Sequence, residues 1–365
     1  MFQYKLIISN DYSSIHDILK HMKKKVFTGF SGGIDSAVSA YLLKKKYNVT
    51  AVMFINTTNQ ECNKISEKDA KTVAEYIGIP FKIINIQKEF KNMVIDPFLK
   101  SYKNGKTPNP CVLCNTQFKF GYFADWCFKN GADLIATGHY CKSKDGKLYK
   151  GKDRKKDQSY FLNGISEDTL KKTIFPIGHM TKKKVRNIAK KIGLPNSSKR
   201  DSQEICFIDT SLNEYLNKNI NSEKGDIVDI DTNKIVGQHN GIHSVTLGQR
   251  KGVLIGGVDE PYFVAKKEIT TNKIFVAKGK YNKHLWKDTF VLEDFNFINK
   301  KNIGITKGLT ATVRYRAKEI KCRPDWSSNT ILLNKKVWTP SIGQSLVLYK
   351  KDECIGGGII KYIRQ

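Results

Sequence analysis

Apolar runs and helix-like patterns alternate along the chain as far as Phe207. The runs that indicate buried strands are Val26–Phe30, Val49–Phe54, Phe81–Ile86 and Asp133–Thr137. The segments whose apolar residues recur every three or four positions, as in helices, are Asp35–Lys45, Lys68–Ile77, Phe118–Lys129 and Lys182–Ile192. Regular alternation of the two patterns predicts an α/β fold in which helices cover both faces of a parallel sheet. The ligand site of such a fold lies at the carboxyl ends of the strands.

The pattern changes after Phe207 to short strand-like runs that glycines interrupt. These runs are Ile227–Ile230, Val245–Gly248, Tyr262–Ala265, Ile274–Ala277, Leu309–Arg316, Ser345–Tyr349 and Ile355–Ile360. Strands without helices between them predict a small β-rich central domain followed by a C-terminal β-barrel. A chain of 365 residues also exceeds what one hydrophobic core usually serves. We therefore expect three domains, at residues 1–207, 208–283 and 284–365.

The chain carries a large excess of positive charge. Its formal net charge is +29 at pH 7, which favours a polyanionic partner, nucleic acid rather than a membrane. Abundant lysine, asparagine and isoleucine are also typical of a composition bias, so charge alone does not establish RNA binding. No apolar run approaches the roughly 18 residues of a membrane span, and the N-terminus lacks a signal-peptide core. We expect a cytoplasmic protein without a membrane partner.

The first predicted strand leads directly into Ser31-Gly32-Gly33-Ile34-Asp35-Ser36, where a helix is predicted to begin. Backbone N–H groups, serine hydroxyls and a helix N-terminus at one place predict a phosphate site. The loop lacks the lysine of a Walker A motif, so a mononucleotide P-loop is not the right comparison. An alternative is a tight strand-to-helix turn in which Asp35 caps the helix.

The loop resembles the pyrophosphate loop, Ser-Gly-Gly-x-Asp-Ser, of ATP pyrophosphatases, which adenylate an oxygen of their substrate and release pyrophosphate. The resemblance implies an N-terminal adenine-nucleotide domain of the HUP-like type, which uses ATP and Mg²⁺. Asp35 then helps to hold the Mg²⁺. The ATP-binding residues at the loop are Gly29, Phe30, Ser31, Gly32, Gly33, Ile34, Asp35 and Ser36.

Eight cysteines without a secretory signal do not indicate a disulfide scaffold. Cys111 and Cys114 form a Cys-x-x-Cys pair on a proline-stiffened loop that leads into a predicted helix, whose dipole favours thiolate. Metal binding and redox chemistry are equally compatible with this pair, and no second Cys or His pair completes a structural zinc site. Cys206 lies beside polar and basic residues just before the change of pattern, although taken alone it is more typical of a buried cysteine.

Six segments together resemble one family over nearly the whole chain. They are Ser31–Ser36, Asn109–Asn115, Ala136–Tyr140, Lys156–Leu162, Asp201–Phe207 and Leu247–Gly252. Their order is that of the tRNA-specific 2-thiouridylases, which sulfurate the wobble uridine of certain tRNAs. The resemblance implies that ATP adenylates the C2 oxygen of the uridine and that sulfur then displaces AMP.

The same resemblance implies roles for individual residues. Cys206 carries sulfur as a persulfide, supplied by a desulfurase or a relay protein. Cys114 is its nucleophilic or disulfide-forming partner. Phe54 and Gly138 are further ATP contacts. The residues that contact tRNA are Asn109, Pro110, Cys111, His139, Lys156, Asp157, Gln158, Arg314, Tyr315 and Gln344.

The implied partner is the anticodon arm of glutamate, glutamine and lysine tRNAs. The target base must leave the loop to reach ATP, so we expect all three domains of a monomer to hold the arm. Arginine and tyrosine suit phosphate binding and base stacking in single-stranded loops.

Cys111 departs from the family pattern, because many members have aspartate there. Cys111, Cys114 and Cys206 are therefore also candidate ligands of a 4Fe-4S cluster whose open iron binds sulfide. We favour the persulfide route and keep the cluster as an alternative. We predict no metal ion at His239, His243 and Cys206, whose spacing is loose.

Two other functions share part of these features. Another pyrophosphate-loop enzyme, such as a tRNA lysidine synthetase or an amide-forming synthetase, needs the loop but neither Cys114 nor Cys206. A non-enzymatic RNA-binding protein needs the basic surface but not ATP turnover.

Overall fold

The computed structural model describes residues 23–56, 60–199, 205–250, 253, 255 and 259–364. Its strands are β1 (Lys25–Gly29), β2 (Asn48–Ile55), β3 (Phe81–Asn85), β4 (Leu134–Ala136), β5 (Cys141–Lys144), β6 (Lys147–Lys150), β7 (Thr173–Ile174), β8 (Gly225–Asp229), β9 (Ile235–His239), β10 (Tyr262–Glu268), β11 (Lys273–Lys278), β12 (Trp286–Phe297), β13 (Leu309–Thr312), β14 (Ile320–Asp325), β15 (Thr330–Trp338), β16 (Ser345–Lys350) and β17 (Glu353–Arg364).

The α-helices are α1 (Ile34–Lys44), α2 (Gln60–Ile77), α3 (Gln87–Phe90), α4 (Asp96–Lys103), α5 (Pro110–Leu113), α6 (Phe123–Lys129), α7 (Glu167–Lys171), α8 (Lys182–Lys191) and α9 (Leu212–Asn219). The π-helical segments are Lys91–Ile95 and Cys114–Tyr122. Of the segments named from sequence, residues 201–204 and 251–252 lie outside the described part of the chain.

A five-stranded parallel sheet in the order β3-β2-β1-β4-β7 forms the centre of the first part. Neighbouring residues of β1 point to opposite faces, so Val26 packs with α1, α2 and α8, whereas Phe27 packs with residues 86–127. Helices therefore cover both faces, as the alternating pattern predicts. The predicted helix after Thr181 is confirmed, and the Thr181 side chain caps it by accepting a hydrogen bond from the Lys184 N–H at 3.3 Å.

The helix predicted at Phe118–Lys129 is present but begins earlier, and its first turns are wider than expected. Helical backbone runs from Pro110 to Lys129, with π-helical hydrogen bonding at Cys114–Tyr122. Each π turn contains more residues than an α turn, so the side chains fall on different faces from those that a 3.6-residue period predicts. This segment carries Cys114 and Lys119.

The central part is a four-stranded sheet in the order β10-β11-β8-β9. Its core contains Ile227, Val264, Ile274 and Val276. The strand predicted at Val245–Gly248 is wrong. These residues follow a short 3₁₀ turn, and Gly248, at φ +80°, makes a single hydrogen bond from its N–H to the Val264 carbonyl at 2.7 Å.

The C-terminal part is a closed barrel. Strands β12-β15-β14-β13-β16-β17 pair in this order, and β12 also pairs with β17. The predicted barrel is therefore confirmed, but the strand predicted at Leu309–Arg316 ends at Thr312. Arg316 adopts φ +62°, which turns the chain away from the barrel wall.

A hairpin from the first part extends the barrel sheet. Strand β6 of this β5–β6 hairpin pairs with β17, so that Leu148 lies opposite Cys354. Its turn is Asp145-Gly146, with φ +51° and +71°, which suits a tight hairpin. Backbone hydrogen bonds thus join the first part of the chain to the barrel. Within the described residues, none of the helices has both the length and the apolar composition to span a bilayer.

Candidate active site

The loop at residues 31–36 joins β1 to α1 at the carboxyl edge of the sheet. The Ser36 hydroxyl donates to the Gly33 carbonyl at 3.0 Å and lies 3.4 Å from the Ser31 hydroxyl. Gly32 adopts φ +67°, and a Cβ there would lie 3.1 Å from the Cα of Ala70. The loop therefore needs glycine at this position, and it presents both serine hydroxyls at a helix N-terminus.

Two residues distant in sequence hold this loop in place. A Cβ on Gly138 would lie 2.9 Å from the Asp35 carbonyl carbon and 3.0 Å from the Ser36 nitrogen. The buried Asn196 donates from Nδ2 to the Gly32 carbonyl at 2.8 Å. Gly138 is predicted from sequence as an ATP contact; in the structure it packs closely against the backbone of Asp35 and Ser36. Asn196 was not predicted, because its spacing in sequence gives no sign of this contact.

Asp35 forms an ion pair that the sequence pattern did not indicate. Its two carboxylate oxygens lie 2.8 and 2.9 Å from Lys182 Nζ, and the Tyr140 hydroxyl donates to it at 2.7 Å. The alternative in which Asp35 caps α1 is wrong, because this carboxylate bonds to these side chains instead. Lys182 is buried at the start of α8, a helix for which the sequence analysis predicted no role in the site.

The apolar candidates of the nucleotide site divide into two groups. Phe30 and Ile34 are buried in the core beneath α1, so only their backbone is available to a ligand. Phe54 is half-buried at the end of β2, with its ring centroid 4.5 Å from Phe123 and 5.1 Å from Phe118. Gly29 lies beside Phe123, since a Cβ there would be 3.8 Å from the ring.

The Cys-x-x-Cys pair sits at the start of the long helical segment. The Asn109 side chain caps α5 by accepting hydrogen bonds from the N–H groups of Cys111 and Val112 at 3.1 and 3.3 Å. Pro110 occupies the first turn, where its missing N–H is not needed. Cys111 is exposed and Cys114 is buried. The same short helix therefore offers one thiol to solvent and holds one inside.

Cys206 lies near both of these thiols. Its side chain is exposed, and Asn56 Nδ2 lies 3.9 Å from its sulfur. Desolvation by the surrounding protein raises the pKa of all three thiols, that of Cys114 to about 12. The charge of a Cys206 thiolate would raise the pKa of both Cys111 and Cys114, so the three sulfur atoms are close enough to interact electrostatically. The thiolate expected at Cys114 is therefore unfavourable in this state, because burial raises the pKa of Cys114 more than the charge of Lys119 lowers it.

Lys119 connects this group of thiols with His139. Its charge opposes the burial effect on the pKa of each of the three thiols. It also contributes to lowering the pKa of His139, although burial is the larger cause. His139 is buried, with Nδ1 2.7 Å from the Thr137 hydroxyl, and therefore presents a neutral imidazole. The sequence did not indicate Lys119, whose position depends on the π-helical turns.

The three thiols are neighbours but do not form a ready-made ligand set. In the part of the chain that the structure describes, no group of three or more histidine, cysteine, aspartate or glutamate side chains is arranged to hold a metal ion. His239 and His243 have other partners. His239 lies 3.1 Å from the Asn272 carbonyl, and His243 lies 3.0 Å from Asn217 Oδ1.

A basic pocket of about 670 Å³ lies between the β5–β6 hairpin region and the barrel. Its lining includes Lys150, Arg154, Lys155, Lys156, Asp157, Tyr315 and Arg316. Lys156, Asp157 and Tyr315, predicted separately as tRNA contacts, therefore come together here. The Tyr315 ring lies 4.3 Å from Phe161 and 5.0 Å from the Arg316 guanidinium carbon.

The remaining predicted tRNA contacts already have partners within the protein. Gln158 accepts a hydrogen bond from the Tyr140 N–H at 2.9 Å, and Gln344 donates to the Thr107 carbonyl at 2.7 Å. Arg314 donates to the Trp338 and Thr339 carbonyls at 3.1 and 3.3 Å. Asp157 accepts from the Gly151 N–H at 2.7 Å, while burial raises its pKa. Asp157 lines the basic pocket, whereas Gln344 and Arg314 bond to Thr107 and Thr339 at a different cavity.

Comparison with known families accounts for most of the chain. A tRNA methyl transferase HUP domain model matches residues 24–210, a tRNA methyl transferase PRC-barrel domain model matches residues 213–278, and an aminomethyltransferase beta-barrel domain model matches residues 287–360. These three matches follow the parallel sheet, the central sheet and the barrel in order.

Curated relatives match over nearly their full length. The chain is 38% identical over 364 residues to the tRNA-specific 2-thiouridylase MnmA of Mycoplasmopsis synoviae (strain 53), covering 94% of this chain and 97% of the relative. It is 41% identical over 357 residues to the enzyme of that name from Buchnera aphidicola subsp. Acyrthosiphon pisum (strain APS), covering 93% and 97%. Its identity to the one from Nitrosomonas eutropha (strain DSM 101675 / C91 / Nm57) is 39% over 356 residues, covering 93% and 98%.

Proposed function

The chain belongs to the family of tRNA-specific 2-thiouridylases, and we propose that its loop at residues 31–36, its three neighbouring thiols and its basic pocket carry out successive steps of tRNA thiolation. It is a tRNA sulfurtransferase. The observation that carries the proposed mechanism is the shared neighbourhood of Cys114, Cys206 and His139 around Lys119.

In the first step, ATP activates the uridine. The phosphates of ATP lie at the loop, where the Ser31 hydroxyl and the N-terminus of α1 donate hydrogen bonds. The Ser36 hydroxyl joins them when it turns away from the Gly33 carbonyl, to which it donates in this structure. Asp35 is the residue that would hold a Mg²⁺ ion here once Lys182 has left it, and the ion would supply charge neutralisation for the departing pyrophosphate. Lys182 leaves Asp35 for the phosphate oxygens, since a triphosphate attracts its charge more strongly than one carboxylate does. The C2 oxygen of the uridine displaces pyrophosphate and becomes adenylated.

In the second step, sulfur replaces the adenylated oxygen. Cys206, which is exposed, accepts a sulfur atom from a desulfurase or a relay protein and carries it as a persulfide. The terminal sulfur attacks C2 and AMP leaves with the oxygen. The Cys114 thiolate then attacks the Cys206 sulfur, which forms a Cys114–Cys206 disulfide and leaves the terminal sulfur on the base as 2-thiouridine. A two-electron thiol reductant restores both thiols.

Lys119 supports this step electrostatically. Lys119 lowers the pKa of both reacting thiols, against the effect of burial. Burial still raises the pKa of Cys114 to about 12 with Lys119 in place, so this thiol becomes a thiolate only when bound substrate offsets the rest of that effect. His139, neutral and buried, lies in the same region and presents its imidazole to the flipped base.

The basic pocket binds the anticodon arm of the tRNA. Lys155 and Lys156 contact phosphate groups there, and Tyr315 stacks on an unpaired base. We assign the substrates as glutamate, glutamine and lysine tRNAs. The protein acts as a cytoplasmic monomer.

Its three domains lie at residues 1–207, 208–283 and 284–365. The three matched family models, at residues 24–210, 213–278 and 287–360, support these divisions.

A 4Fe-4S cluster would be the competing source of sulfur, held by Cys111, Cys114 and Cys206, because Cys111 adds a third thiol to the pair. These thiols would have to move to bind it, since they are not arranged to hold a metal ion here. Anaerobic thiolation of an unmodified glutamate tRNA transcript distinguishes the two routes. Colourless protein with ATP and a cysteine desulfurase should retard the tRNA in a mercury gel, and Cys111→Ser should retain this activity. Thiolation only after iron–sulfur reconstitution would favour the cluster. No thiolation under either condition would contradict both routes.

A further inference from the structure

A cavity of about 360 Å³ lies where the three parts of the chain meet, away from the thiols and the nucleotide loop. We call it the three-domain pocket. Residues 104–107, after α4, form one wall, and residues 265–267 of β10 form another. Lys287 and Ile342, from the barrel, close the third side. Its volume suits a small organic ligand or one nucleotide unit.

Lys267, which lines this pocket, has an unsatisfied charge. Its Nζ is buried, and no described residue accepts a hydrogen bond from it. Desolvation lowers its pKa to about 8. A buried ammonium group is costly unless an anion or hydrogen-bond acceptor meets it, so native proteins rarely retain one without a role.

The neighbouring histidines do not supply that acceptor. The His239 Nδ1 accepts the Gly241 N–H at 3.1 Å, and its Nε2 donates to the Asn272 carbonyl at 3.1 Å. Burial is the main cause that lowers the pKa of both His239 and His243, and the charge of Lys267 adds to it. Both rings are neutral and already bonded, which leaves Lys267 facing no negative charge among them.

Two other lysines of the pocket are already neutralised. Lys106 pairs with Glu293 at 2.9 Å, and Lys266 pairs with Glu268 at 2.8 Å. Lys287 differs, since no ion pair joins it to an acidic side chain in the described residues, and burial lowers its pKa. Lys267 and Lys287 are therefore the lysines of this pocket that have no acidic ion-pair partner among the described residues. The Lys267 Nζ is covered by protein atoms here, so its side chain must turn toward the cavity to meet an anion.

We propose that the three-domain pocket binds a phosphate group, with Lys267 and Lys287 as its cationic partners. Leu247, Ile269 and Ile342 provide apolar walls for the organic part of the ligand. A phosphate ester on an apolar or aromatic body is common to a free nucleotide and to a residue of an RNA chain. The first source is independent of the proposed function, whereas the second rests on tRNA being the substrate.

One short loop connects the three-domain pocket with the thiol site, so a bound ligand could change the position of the thiols through this loop. Residues 104–107 line the pocket and lead directly to Asn109, which caps the helix of Cys111. The barrel already holds this loop, because the Thr107 N–H donates to the Ile342 carbonyl at 2.8 Å. A phosphate bound beside the loop therefore contacts the segment that positions both cysteines.

The test compares Lys267→Met with Lys234→Met, which removes an exposed lysine from the same part of the chain. Calorimetry with inorganic phosphate, AMP and UMP probes free ligands, and a salt series with a tRNA transcript probes the RNA source. Thiolation is not the readout, so failure here is distinct from failure of the proposed function.

If the ligand is a free nucleotide, we expect wild type and Lys234→Met to bind AMP or UMP with equal affinity. Lys267→Met should then bind the same nucleotide about tenfold more weakly. An RNA site predicts that Lys267→Met alone weakens tRNA binding about tenfold and reduces the salt slope by about 1. Unchanged binding in Lys267→Met, or equal losses in both variants, would overturn the proposal. If Lys267→Met does not fold, Lys287→Met takes its place in the same comparison.

Discussion

The side chains of Lys182 and Asp35 form a two-point ion pair, with Lys182 Nζ 2.8 and 2.9 Å from the two carboxylate oxygens. Asp35 belongs to the nucleotide loop, whereas Lys182 begins a helix 147 positions later. The pair therefore holds α8 against the loop and places the Lys182 ammonium group beside the phosphate site. The Tyr140 hydroxyl, also bonded to Asp35, completes the arrangement.

Replacing Lys182 should weaken catalysis at the adenylation step. Lys182→Met removes the cation that moves to the phosphates, so we expect tRNA-dependent release of pyrophosphate to fall about 100-fold. The neighbouring Lys183 is exposed and serves as the matched control, because Lys183→Met removes the same charge without touching Asp35. Equal rates in the two variants would contradict this role for Lys182.

Gly138 should tolerate no side chain. The Cβ of Gly138→Ala would lie 2.9 Å from backbone of Asp35, so the loop must shift and we expect at least a tenfold loss of ATP affinity. Gly131→Ala is the control. Its Cβ meets open space, and its positive φ of +87° costs about 1 kcal/mol of stability without affecting the loop. Equilibrium dialysis with ATP measures the difference, and normal ATP binding by Gly138→Ala would rule out the packing argument.

Lys119 should control the reactivity of the exposed thiols. Its charge lowers the pKa of Cys111 and Cys206 against the effect of burial, and only the thiolate reacts with iodoacetamide. We therefore expect Lys119→Met to slow their alkylation about threefold to tenfold near neutral pH. Lys129→Met, at an exposed position on α6, should leave the rates unchanged. Peptide mass spectrometry over a pH series provides the measurement, and coincident profiles for all three proteins would refute the prediction.

Lys267 should make stability depend on alkaline pH. Its pKa falls from 10.5 to about 8 on folding, so between these values the unfolded chain binds more protons and stability rises with pH. The penalty is fully present below pH 8. Lys267→Met removes it, and we expect a gain of about 1–3 kcal/mol in the free energy of unfolding near pH 7 that shrinks toward pH 10.

Urea unfolding of wild type, Lys267→Met and Lys234→Met at several pH values tests this expectation. The neighbouring His239 and His243 remain neutral across this window, since their pKa values lie below the ordinary value of 6.5. A stability difference that does not change with pH, or a loss of stability in Lys267→Met at pH 7, would show that Lys267 is not a buried and unpaired cation.

The parts of the fold that depend on interactions between neighbouring residues could be predicted from the sequence. The loop at residues 31–36 and the helix predicted at Lys182–Ile192 depend on glycine conformation and on local apolar periodicity, and the cap that Thr181 supplies to this helix is equally local. The alternation of Val26 and Phe27 between two cores likewise follows from strand geometry.

Contacts between distant segments were not predictable in this way. The pairing of β6 with β17 and the Lys182–Asp35 ion pair depend on how whole elements pack. Lys119 was missed for a different reason, because π-helical turns change the face on which it lies. The Asp145-Gly146 turn is a local sign of the hairpin, because both residues adopt the positive φ of a tight hairpin turn.

The central claim is that Cys206 delivers sulfur and Cys114 releases it. The most direct measurement is a single turnover of persulfide-loaded enzyme with ATP and excess tRNA transcript, without reductant, followed by peptide mass spectrometry. We predict one Cys114–Cys206 disulfide for each thiolated tRNA, and none in Cys114→Ser. Thiolated tRNA without this disulfide, or a disulfide that requires Cys111, would contradict the account.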